Sequence, residues 1–104
     1  MSGFLLRLYI AGRSAISQRA EQNLFQLQRL IEPDCKVEII DVVTRPELAE
    51  QAGILATPTL SYEHPERPRR VIGDLSDTKR VLEFLGFRAQ EKDGRAIEPK
   101  EKNA

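Results

Sequence analysis

The chain has 104 residues, of which 40% are hydrophobic and 31% charged, a composition typical of one soluble globular domain. Its 16 basic and 16 acidic residues cancel, so overall charge gives no reason to expect binding to nucleic acid or an anionic membrane. A single cysteine excludes an internal disulfide, and with one histidine the chain lacks the four ligands of a structural zinc site. We therefore expect a cytoplasmic protein without a metal or cofactor.

The first half of the sequence predicts a strand, a long helix and a second strand. The N-terminal run MSGFLLRLYIAG is interrupted by Arg7 and is too short to cross a membrane, so we predict a buried strand over residues 5–10. Ser14 or Ser17 can cap the following helix. The helix carries one apolar stripe with steps of four, four, three and four residues, formed by Ile16, Ala20, Leu24, Leu27 and Ile31. A strand rich in Val and Ile follows at 37–43, which favours a right-handed parallel unit.

A short helix is predicted next. Thr44 and Glu47 have the spacing of a capping box, and Pro46 falls in the first turn, where its missing N–H costs little. Gly53 is a natural left-handed stop, so the helix should cover residues 46–52.

A hairpin and a last helix complete the predicted domain. Residues 59–63 and 69–72 read as strands on either side of the turn-rich HPERP segment, and Asp74 or Ser76 can cap the helix, which Gly86 should end. The order is βαβαββα, that of a thioredoxin-like domain. We predict a single domain over residues 1–87. Residues 88–104 include nine charged side chains among 17 and should form a disordered tail.

Redox chemistry in such a fold would require a cysteine of lowered pKa at the first strand–helix junction. That junction reads AGRSAISQ and contains no cysteine. Cys35 lies beyond the long helix and reads as a small filler, and His64 reads as a solvated turn residue. The alternative of a thioredoxin-like redox or stress-response protein would have to work through Cys35 alone, without a Cys-x-x-Cys pair.

Two features of the hairpin remain to be explained. Pro58 stands at the entry of its first strand, a position where thioredoxin folds usually have a cis proline, and it should set the bend and register there. Arg69 and Arg70 should point to opposite faces of the second strand. They either protect a sheet edge by charge or contact a partner.

Four segments together resemble the KaiB family of circadian clock proteins. The segments are ILATPTL (54–60), RRVIGDLSD (69–77), LRLYIAG (6–12) and IIDVVTRPELAEQAG (39–53), and the resemblance extends over about residues 4–85. It implies a non-enzymatic regulator that binds the N-terminal ATPase ring of KaiC, where such proteins sequester KaiA and displace a KaiB-like sensor histidine kinase. It also implies a second, ground-state fold of order βαββααβ, with a rearranged second half, that associates as a dimer or tetramer.

The same resemblance assigns candidate site residues. Arg19, Arg69 and Arg70 match basic positions linked to KaiC contact, whereas Pro58, Gly73 and Asp74 belong to the segments that determine fold and turns.

This sequence also departs from the family at three positions. Glu38 and Tyr62 stand where clock versions commonly carry lysine, which implies a divergent KaiC-type partner. Phe84 replaces a glycine often found in clock members and should favour the C-terminal helix of the thioredoxin-like state.

Overall fold

The computed structural model describes residues 5–31, 36–63, 68–85, 87–88 and 98–99. The main elements follow the predicted βαβαββα order. They are β1 (Leu5–Ile10), α1 (Ala15–Leu30), β2 (Lys36–Asp41), α2 (Pro46–Ala52), β3 (Thr59–Tyr62), β4 (Arg69–Ile72) and α3 (Thr78–Leu85). A separate pair of two-residue strands, β5 (Phe87–Arg88) and β6 (Glu98–Pro99), lies beyond them.

The four strands β1 to β4 form one mixed sheet in the order β2-β1-β3-β4. β1 pairs with β2 in parallel through the crossover helix α1, and β3 pairs antiparallel with both β1 and β4. This is the thioredoxin-like arrangement predicted from the sequence, and it is the first of the two folds that the resemblance implies. β2 and β4 are the edges of the sheet.

The core lies between one face of the sheet and the helices α1 and α3. Strand residues alternate between faces, so every second residue of β1 and β3 points to this side. The buried cluster consists of Leu6, Leu8, Ile10, Ala20, Leu24, Leu27, Ile31, Leu60, Tyr62, Leu75, Val81 and Leu82. α2 packs on the opposite face, beside Tyr9 and Ile40, and none of its own residues is buried.

The apolar stripe of α1 differs from the prediction at its first position. Ile16 is 43% exposed and Ser17 is buried in its place. With about 3.6 residues per turn, Ile16 and Ser17 lie at opposite margins of the stripe, and the margin of Ser17 is the one that faces the core. The buried hydroxyl is satisfied because it accepts from Ser14 Oγ at 3.0 Å and donates to the Ala11 carbonyl at 3.5 Å. Ser14 is the N-cap, and its side chain accepts from Ser17 N–H.

The predicted second strand is too long, and the capping box is wrong. Asp41 ends β2, because its carboxylate accepts from the N–H groups of Gly12 (3.0 Å) and Val43 (2.9 Å) and turns the chain. The Thr44 hydroxyl therefore donates to the Asp41 carbonyl at 3.2 Å, and Arg45 becomes the N-cap without a side-chain cap bond. The stop at Gly53 (φ 70°) is confirmed.

The start of α3 is also displaced from the prediction. Asp77 takes the capping role, since its carboxylate accepts from Arg80 N–H at 3.2 Å. Asp74 instead closes the preceding turn by accepting from Ser76 N–H at 3.1 Å. The predicted helix stop, Gly86, lies outside the described residues.

Most of the tail prediction falls outside the described residues as well. Of residues 88–104, only Arg88, Glu98 and Pro99 are described, where β5 pairs antiparallel with β6. The disordered state of the tail therefore stays a prediction. In the part of the chain that the structure covers, no helix has the length and apolar character needed to span a membrane.

Candidate partner interface

The two arginines of β4 leave the sheet on opposite faces, as the strand alternation predicts. Arg69 Nη1 donates to the carbonyl of Phe84, near the end of α3, at 3.3 Å. Arg70 Nη2 donates to the carbonyl of Ala52, at the end of α2, at 2.6 Å. Each guanidinium therefore ties β4 to a different helix, and the structure does not bring the two charges to one face.

Arg19 lies on α1 and reaches the loop between β4 and α3. Its Nη1 atom is 3.4 Å from Asp74 Oδ2, and the neighbouring Asn23 Nδ2 donates to the Asp74 carbonyl at 2.7 Å. The hydroxyl and N–H of Ser76, followed by Arg19, lower the pKa of the Asp74 carboxyl. Asp74 thus joins the two halves of the chain through both its main chain and its side chain.

Pro58, Gly73 and Asp74, the three predicted turn residues, belong to one connected region. Pro58 is buried, its bond to Thr57 is cis, and its carbonyl accepts from Gly73 N–H at 2.9 Å. Gly73 has φ 128°, a backbone conformation that residues other than glycine rarely adopt. Asp74 follows directly, so the end of β4 is anchored to the start of β3 and to α1.

A cleft with a volume of about 440 Å³ opens between edge strand β4 and α3. It is lined by residues 70–77 together with Arg80, Val81 and Phe84. Two large apolar side chains that line the cleft are exposed to solvent: Ile72 is 69% and Phe84 55% exposed. Exposed apolar side chains beside arginine are typical of protein–protein contact surfaces. We refer to Arg70, Ile72, Arg80 and Phe84 as the β4 edge.

The α2 face of the sheet carries a row of polar side chains in register across all four strands. Glu38, Arg7, Ser61 and Arg70 are direct cross-strand neighbours. Arg7 Nε lies 2.8 Å from Glu38 Oε1, and this hydrogen bond raises the pKa of the arginine. Ser61 Oγ donates to Glu63 at 2.7 Å.

Glu38 and Tyr62, the two residues that stand where clock proteins commonly carry lysine, have different places in the fold. Glu38 is exposed on edge strand β2, so a partner can meet its charge. Tyr62 is only 6% exposed and belongs to the core, so in this fold it offers no surface to a partner. The sequence alone could not separate them, because the pairing of their strands decides which face of the sheet each side chain occupies.

The first strand–helix junction holds hydroxyls where a redox protein would need thiols. Ser14 and Ser17 hydrogen-bond to each other there. Cys35 and His64 lie outside the described residues, so the redox alternative gains no support from the geometry. Among the residues the structure describes, no three His, Cys, Asp or Glu side chains are grouped as metal ligands.

Sequence reasoning missed Ile72, Arg80 and Asn23. A signal existed for Ile72, since strand alternation places it on the same face as Arg70. Asn23 had no signal, because its bond to Asp74 joins residues 51 positions apart.

Comparison with known proteins identifies the family. The model of the KaiB domain matches residues 7–87. The chain belongs to the KaiB family. It is 43% identical to the circadian clock protein KaiB3 of Synechocystis over 83 residues, covering 79% of this chain and 81% of that protein. It is 46% identical to the circadian clock oscillator protein KaiB of Parasynechococcus marenigrum, covering 76% of this chain and 77% of the relative.

Solved structures confirm the thioredoxin-like fold of this KaiB-family chain. The N-terminal domain of SasA from Synechococcus elongatus superposes with a TM-score of 0.66 at 24% identity, covering 82% of this chain and 85% of that one. Mitochondrial thioredoxin 3 from Saccharomyces cerevisiae gives 0.65 at 19% identity, with 81% and 78% covered. At these identities the likeness concerns the fold alone.

Proposed function

We propose that this chain is a non-enzymatic KaiB-type regulator that binds the N-terminal ATPase ring of a KaiC-type protein and modulates its phosphorylation and output signalling. The observation that carries the proposal is the KaiB domain over residues 7–87. The β4 edge supports it, because an exposed Ile72 and Phe84 beside arginine suit a protein partner.

The contact residues on this proposal are Arg19, Arg69 and Arg70. Arg70 is the more exposed of the two β4 arginines, and its charge lies at the β4 edge. Arg19 and Arg69 also hold Asp74 and α3 in place, so part of their contribution is to keep the interface in shape.

We further propose competition with a KaiB-like sensor histidine kinase, and a shared fold supports it. The N-terminal domain of SasA has the same arrangement of strands and helices as this chain. Two domains of one shape can occupy one site on a KaiC-type ring, and the bound KaiB-type chain would then capture a KaiA-type protein. Before binding, we propose a homo-oligomer, a dimer or tetramer, in the rearranged ground-state fold.

Glu38 points to a KaiC-type or KaiA-type partner that differs from the standard clock set. Its carboxylate is exposed on edge strand β2, where it pairs with Arg7 at 2.8 Å, so this site does not present the positive charge that a lysine would. A facing cation would be favoured, and a facing carboxylate would be opposed.

Size-exclusion chromatography of the chain with the KaiC-type ATPase of its own organism tests the proposal. We expect a co-eluting complex that Arg70→Glu weakens at least about tenfold, since reversing a contact charge opposes the partner. Arg29→Glu is the matched control, because Arg29 is an exposed arginine in the last turn of α1, away from β4.

The control should bind like the unmodified chain. If no KaiC-type protein of the host co-elutes with the chain, the proposed function is wrong. Equal weakening by both substitutions would place the contact outside the β4 edge.

A further inference from the structure

β4 is an edge strand, so some of its main-chain N–H and C=O groups face away from the sheet. In an antiparallel pair, residues alternate between those whose main-chain groups bond to the partner strand and those whose groups point away. The Gly73 N–H bond to the Pro58 carbonyl fixes this alternation, and the register pairs Val71 with Leu60 in the same phase. The main-chain N–H and C=O groups of Arg70 and Ile72 therefore point outward from the sheet.

The side chains flanking this edge suit an added strand. A strand placed alongside β4 would direct successive side chains to alternate faces. On one face it would meet Ile72, which is exposed, together with Arg70; on the other it would meet Phe84 and Arg80 of α3. Apolar contacts are thus available on both faces along the same short edge.

The charges around the edge favour an acidic residue in the added strand. The carboxylates of Asp74 and Asp77 accept from main-chain N–H groups, and Asp74 also meets Arg19. Arg70 donates to the neutral carbonyl of Ala52, which leaves its positive charge uncompensated by that bond. A carboxylate opposite Arg70 would compensate it.

We infer that β4 receives an extended segment of the bound partner as an additional strand of the sheet. The segment would carry apolar side chains that meet Ile72 and Phe84, and a carboxylate placed at Arg70. Main-chain hydrogen bonds would supply affinity, and the side chains would supply specificity. The inference rests on the proposed function, because the segment belongs to the KaiC-type partner.

Amide hydrogen exchange, resolved to single residues in the free chain and in the complex, tests this directly. We expect exchange at the Ile72 and Arg70 amides to slow at least tenfold on binding, because their N–H groups become bonded. The Val71 amide, which already faces β3, should change much less and serves as the internal control.

A proline substitution gives a second test that leaves the β3–β4 pairing in place. Ile72→Pro removes an N–H that points outward, a position where an edge strand tolerates proline. It should weaken the complex about five- to tenfold, the equivalent of about one main-chain hydrogen bond. Ile72→Val keeps the N–H and should bind within about twofold of the unmodified chain.

The outcomes separate the two proposals. A complex that forms without slowed exchange at residues 70 and 72 overturns the strand addition and leaves the proposed function standing. Absence of any complex overturns both. Should Ile72→Pro fail to fold by circular dichroism, the exchange measurement on the unmodified complex still decides.

Discussion

The first half of this chain, residues 5–41, is built differently from the second half, residues 44–85. The first half has two six-residue strands and a 16-residue helix that buries a continuous stripe. The second half has two four-residue strands and helices of seven and eight residues, and α2 buries no residue at all.

The second half contributes five residues to the buried cluster, and individual polar bonds also tie it to the first half. The five residues are Leu60, Tyr62, Leu75, Val81 and Leu82. Asn23 and Arg19 of α1 bind the loop at Asp74. Within the second half, Arg70 binds the end of α2. α2 has no buried residue, and elements with few buried apolar contacts have low local stability. The proposed rearrangement of the second half therefore involves the part of the chain with the shorter elements. Two pairs of substitutions, one residue of each pair in each half, test the contrast, and a fifth probes the turn that ends the first half.

Leu24→Ala should have the largest effect, a loss of about 3 kcal/mol in the free energy of unfolding, because Leu24 is completely buried between α1 and the sheet. Leu48→Ala in α2 is the matched control in the second half and should cost less than about 1 kcal/mol, since Leu48 is only partly buried. Urea unfolding of both variants measures the difference. Similar losses at the two leucines would remove the contrast between the halves.

Gly73→Ala should cost about 1–3 kcal/mol, because φ 128° is strained for any side chain although no atom lies within 4 Å of the added Cβ. Gly12→Ala, at φ 71° in the loop after β1, should cost roughly 1–2 kcal/mol for its left-handed conformation. Thermal unfolding gives the two losses.

Amide hydrogen exchange then shows which elements Gly73→Ala destabilises. For Gly73→Ala, amides of β4 and α3 should exchange faster while those of β1 and β2 stay unchanged. Uniformly faster exchange throughout the domain would show instead that the second half does not open on its own.

Asp41→Asn should give the smallest effect and one that depends on pH. The N–H groups of Gly12 and Val43 hold the pKa of Asp41 below its usual value, so the ionised carboxylate is favoured in the folded chain. This stabilisation is present at neutral pH and is lost as the pH falls below about 4, through the lowered pKa. Urea unfolding should therefore find the variant less stable at pH 7, with the gap narrowing toward pH 3. A gap of constant size would assign the loss to packing.

Agreement between sequence and structure is best where the pattern is local. The periodicity of α1, the proline and glycine that bound α2, and the alternation of β4 all depend on neighbours within a turn or two. They predicted the elements, their order and the opposite directions of Arg69 and Arg70. The misplaced caps at Thr44 and at Asp74 have a common cause, since each side chain found a main-chain partner in a turn that sequence spacing did not indicate.

By itself, the sequence determined the thioredoxin-like order, the missing cysteine at the first junction and the likeness to KaiB proteins. Only the tertiary structure decided that Tyr62 is core while Glu38 is surface, and that Asp74 joins α1 to the end of β4. It also decided that Ile72 and Phe84 border one exposed edge. Those outcomes depend on contacts between residues far apart in the chain, and such contacts leave no periodic mark in the sequence.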